Sequence, residues 1–109
     1  MTPRLYRWIL ISAWLFVLAI TVYDVRWAIR YRDTITYWES NPVQRWVIEQ
    51  FGIWFASAAR LSTILFAGCL MFLATRRTQV AATTTLFSVH AYLGVTYALI
   101  VWDPDAFIK

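Results

Sequence analysis

The chain has 109 residues, 61% of them hydrophobic, 18% aromatic and only 15% charged, with a formal net charge of +4. A water-soluble domain of that length has too little interior to hide so much apolar surface, so the composition points to lipid and to a single all-α membrane domain spanning 1–109. The basic residues are scattered and form no dense stripe, which excludes nucleic acid as a partner, and the one cysteine, Cys69, excludes an internal disulfide or a cysteine metal site.

The first apolar run, Trp8 to Tyr23, carries no charge. A span needs about 20 residues, so the helix is expected to extend to about 5–28, with Arg4 and Arg7 at one interface and Asp24 and Arg26 at the other. Its start has the look of a signal peptide. No small-x-small cleavage site follows it, however, and the segment reads as a retained anchor.

Residues 29–50 are mixed in character and read as an interfacial segment. Trp27, Tyr31, Ile35 and Trp38 recur at helical spacing, as in a stretch lying along the membrane surface. Glu39-Ser40-Asn41-Pro42 then breaks the chain, and Asn or Ser as N-cap before proline is a helix start. From Pro42, the residues Val43, Trp46, Val47 and Phe51 form an apolar face opposite Gln44, Arg45, Glu49 and Gln50. This predicts a short interfacial helix running toward Gly52, where it bends or continues.

A second span is predicted at about 51–75, interrupted only by Arg60 and rich in small residues. The pairs Gly52-x3-Ala56 and Ala58-x3-Ser62 would allow close helix approach, and Arg76-Arg77 would make the turn that closes the span. A third is predicted at about 78–102, without charge but with many hydroxyls, and is expected to be the least lipid-exposed of the three. Asp103-Pro104-Asp105 should stop it. The compact basic segments lie before the first span and between the second and third. The positive-inside rule then sets the N-terminus in the cytoplasm and the C-terminus outside, in a prokaryotic inner membrane, with Trp27, Trp38, Trp46, Trp54 and Trp102 at the outer rim.

Arg60 is the residue that most needs a partner. It lies about 10–12 Å below the membrane entry, counted at 1.5 Å per residue. An unpaired charge at such depth costs at least ~2.5–3.5 kcal/mol. By depth, Asp24 lies within reach from the first span, and Glu39 and Asn41 from the loop; Gly94 sits at the level of Arg60 and would leave room for it. A structural polar cluster of Asp24, Glu39, Asn41 and Arg60 is therefore expected, with an Arg60–Asp24 or Arg60–Glu39 ion pair fixing helix register. An anionic ligand or lipid headgroup at Arg60 is the alternative.

His90, the only histidine, falls near the middle of the third span. Packing by hydrogen bonds is its ordinary role; as a ligand it could hold a haem or a chlorophyll-type pigment, although the chain offers haem no good second ligand. No cofactor and no metal site are predicted. No nucleophile, base and orienting group can be assembled, and no phosphate-binding, dinucleotide or zinc-protease motif occurs, so the chain does not read as an enzyme.

Asp24, Glu39-x-Asn41-Pro42, Phe51, Arg60 in a small-rich helix, Arg76, and Tyr92 and Tyr97 in the last helix together resemble an uncharacterised family of small prokaryotic multi-span membrane proteins, a domain of unknown function. That resemblance covers about residues 20–100. It implies no reaction, but it implies that Asp24, Glu39, Asn41 and Arg60 form one polar cluster. With almost no mass outside the membrane, the chain is expected to be an accessory or structural subunit of a larger membrane complex, in contact with lipids and with other subunits or copies of itself. A lipid-, pigment- or haem-binding protein using His90 or Arg60 is the alternative, and a minimal oligomeric transporter or channel a third class.

Overall fold

The computed structural model describes residues 1–33, 39 and 41–102. Among these, the regular structure is all helix, with no strand, in the order α1 (Pro3–Arg30), α2 (Pro42–Phe51), α3 (Ile53–Met71) and α4 (Arg76–Trp102). Helices α1, α3 and α4 are each long and apolar enough to cross a membrane.

Each helix begins where its first residues dictate. Thr2 caps α1 by accepting from the Leu5 amide at 3.1 Å, with Pro3 in the first turn, where its missing N–H costs nothing. Asn41 caps α2, its Oδ1 accepting from the Val43 and Gln44 amides at 3.0 and 3.3 Å, and Pro42 follows as expected. The chain then bends at Gly52 instead of continuing, with φ +89°. A Cβ there would meet nothing within 4 Å, so the left-handed backbone, not space, calls for glycine. The turn after α3 is made by residues 72–75; Arg76-Arg77 do not form it but open α4, whose first turn Thr75 caps through the Thr78 amide. The predicted interfacial positions Ile35 and Trp38 and the stop at 103–105 lie outside the described residues.

Helix α1 is the centre of the bundle. Both α3 and α4 pack along it and scarcely touch each other. Its buried residues Leu10, Trp14, Val17, Thr21 and Val25 recur every three or four positions and make one seam. The third span is therefore not the most sheltered. In its most apolar stretch only 6% of residues are buried, against 28% in α1 and 11% in α3. The reason lies in how the α4 hydroxyls are satisfied: Thr85, Ser88 and Thr96 each donate to the carbonyl one turn back in their own helix and need no neighbour.

Two further expectations change with this geometry. Ala58 and Ser62 are exposed, and α3 makes its close approach through Ala56, Ser57 and Gly68. Gly94 does not make room for Arg60. A Cβ on it would meet Ile20 at 3.2 Å and Phe16 at 3.9 Å, so Gly94 lets α4 lie close against α1.

Candidate functional site

Helices α1 and α4 run parallel and are joined by a ladder of polar pairs. The Tyr6 hydroxyl donates to Gln79 at 2.8 Å, the Trp14 indole donates to Thr83 at 3.0 Å, Thr21 meets His90 at 3.2 Å, and the Tyr97 hydroxyl donates to Asp24. The sequence separations along the ladder are 73, 69, 69 and 73, nearly constant, as parallel neighbours require. Trp14 and Asp24 on α1 also reach α3, and each holds all three spans. The Trp14 ring lies against Gly68, where a Cβ would come within 3.3 Å of it.

The polar cluster forms around Asp24. One carboxylate oxygen accepts from the Arg60 guanidinium of α3 and the other from the Tyr97 hydroxyl of α4. The sequence left Arg60 a choice of Asp24 or Glu39, and the ion pair is with Asp24. Arg60 lies seven residues into α3, Asp24 six before the end of α1 and Tyr97 five before the end of α4. At 1.5 Å per residue all three sit about 8–10 Å below the helix ends, so one level of the bundle brings them together. Tyr97 is held by edge contact with the Tyr23 ring at 4.9 Å and by Trp27 at 5.6 Å.

Glu39 and Asn41 complete the cluster from the α2 side. Glu39 Oε1 accepts from the Asn41 amide at 3.1 Å, and the Arg45 Nε donates to the Glu39 carbonyl at 3.1 Å. All four expected residues, Asp24, Glu39, Asn41 and Arg60, line one cleft of about 470 Å³ between α3 and α4. It exists because those two helices lean on α1 and not on each other. Its deeper wall is apolar, with Ile64, Val89 and Leu93. Arg60 meets this cleft already neutralised by Asp24, which weakens any pull on a free anion.

His90 is buried at 5% exposure, and both ring nitrogens have protein partners. Nδ1 lies 2.7 Å from the Leu86 carbonyl, which can only accept, so Nδ1 carries a hydrogen; Nε2 faces the Thr21 hydroxyl. A haem or pigment would have to displace one of these contacts, and the arrangement is that of a packing histidine. Among the described residues no three of His, Cys, Asp and Glu gather to hold a metal ion.

No protein family, curated protein or solved structure matches this sequence. Sequence reasoning missed Trp14, Thr21 and Tyr97 as partners. The signal was present in α4: Gln79, Thr83, His90 and Tyr97 are separated by four, seven and seven residues, a single face of one helix.

Proposed function

We propose that this chain is a small integral membrane subunit that packs into a larger membrane protein complex, with α4 as its contact helix. Tyr92 carries the reading. The residue is 74% exposed and its hydroxyl makes no hydrogen bond among the described residues. It lies sixteen residues from one end of α4 and ten from the other, about 24 and 15 Å, which is mid-depth in a hydrocarbon core about 30 Å thick. A phenol facing lipid tails there leaves a polar group unsatisfied, and a helix of another subunit offers the acceptor.

Ala81, Thr85 and Ser88 continue the same outward face of α4, small or hydroxyl-bearing and exposed. Such residues let a second helix approach closely. The cluster around Asp24 supports a structural role, because its charges and hydroxyls are spent on joining three helices. In the same reading α2 rests in the outer interface on Val43, Trp46 and Phe51, and the N-terminus faces the cytoplasm.

Purification in mild detergent with native mass spectrometry tests this. A partner at fixed stoichiometry, weakened by Tyr92→Phe without loss of helical content, is the expected result. A monomer alone, or an assembly of identical copies only, would overturn the accessory-subunit reading.

A further inference from the structure

The end of the bundle opposite Asp24 carries Arg4, Arg7, Arg76 and Arg77, and the sequence has no acidic residue at positions 1–23 or 61–102. The one carboxylate of α1 and α4 is Asp24, at the opposite end of α1, so these arginines have none beside them in their own helices. Two of them enter a built pocket. Arg7 and Arg76 line a hollow of about 260 Å³ whose other walls include Tyr6, Gln79, Leu10 and Phe72.

Arg76 is held in place there. Its guanidinium lies 4.4 Å over the Tyr6 ring, Tyr6 donates to Gln79 at 2.8 Å, and the Gln79 amide donates to the Met71 carbonyl at 2.7 Å. Stacking uses the flat face of a guanidinium and leaves its N–H edge for an oxyanion. Beside this pocket, and sharing Phe72 with it, an apolar groove of about 250 Å³ runs between α1 and α3 past Ile11, Leu15 and Leu65. A basic pocket at the helix ends, continued by an apolar groove toward mid-bilayer, has the form of an amphiphile.

We propose that this end binds one anionic phospholipid, its phosphodiester between Arg7 and Arg76 and an acyl chain along the α1–α3 groove. The lipid supplies the counter-charge that the helices lack at this end. The proposal rests on membrane residence but not on the partner at Tyr92, and the two fail separately: a chain that does not enter bilayers fails the first, while insertion without lipid preference fails this proposal alone.

The test is native mass spectrometry of the full chain released from nanodiscs containing equal amounts of phosphatidylglycerol and phosphatidylcholine. Retained phosphatidylglycerol should exceed phosphatidylcholine by about fivefold or more. The double variant Arg7→Gln/Arg76→Gln should bring the ratio close to one. Arg76→Gln alone, which leaves the Thr75 cap of α4 in place, should lower it part-way, and Arg45→Gln, at the other end, should leave it unchanged. Equal retention by the parent chain, or the same loss in Arg45→Gln, would overturn the proposal. Displacement of the lipid by millimolar inorganic phosphate would reassign the pocket to a soluble anion.

Discussion

Arginine is held in two different ways at the two ends of this bundle. Arg60 lies inside a span, and its charge is met by Asp24 on the neighbouring helix, whose second oxygen is taken by Tyr97. Arg76 lies at a helix end, stacked on Tyr6, on a side of the chain where the helices carry no acid. Depth accounts for the difference. About 10 Å below the helix ends a guanidinium without a partner is costly, so the fold must supply the carboxylate. At the end of the span, water and headgroups are within reach, and the protein can leave the charge to its surroundings. The first arrangement fixes helix register; the second leaves a charge available for recognition.

The largest expected effect comes from breaking the internal pair. Asp24→Ala leaves Arg60 without a counter-charge and frees Tyr97, and should lower stability in detergent by about 3 kcal/mol, read as a fall in the unfolding midpoint. Gly68→Ala comes next. The added methyl meets Trp14, which cannot swing aside without breaking its bond to Thr83, and a loss of about 1–3 kcal/mol is expected in the same assay. Thr21→Val keeps the shape of the seam but leaves His90 Nε2 without its partner, and should cost about 1–2 kcal/mol. Smallest is Arg7→Gln at the basic end, within about 0.5 kcal/mol of the parent, because that exposed charge has no ion-pair partner among the described residues to lose. If Arg7→Gln proved as damaging as Asp24→Ala, the contrast between the two ends would fail.

Much of the fold is legible in the sequence because lipid imposes simple rules. Three apolar runs separated by charges give three spanning helices, and Asn41-Pro42 marks the start of α2 to the residue. Counting depth from the span ends also finds Asp24 for Arg60. Depth counting compares levels but not faces, which is why it matches Gly94, at the right level, to the wrong neighbour. Gly94 shares its face with His90 and Tyr97, four and three residues away, and that face meets α1. Hydroxyl content misleads for a different reason. Thr85, Ser88 and Thr96 satisfy themselves within α4, so a polar composition did not make it a sheltered helix. The central place of α1 is not legible in the sequence either, because its seam is built of residues as ordinary as Leu10, Val17 and Val25.

The most direct test of the central contrast is a double-mutant cycle on Asp24 and Arg60, using Asp24→Asn, Arg60→Gln and the double variant, with reversible unfolding followed in detergent. The account predicts that each single change is costly and that the double variant recovers part of the loss, with a coupling of about 1–3 kcal/mol. Strictly additive losses, with no coupling between the two positions, would contradict it.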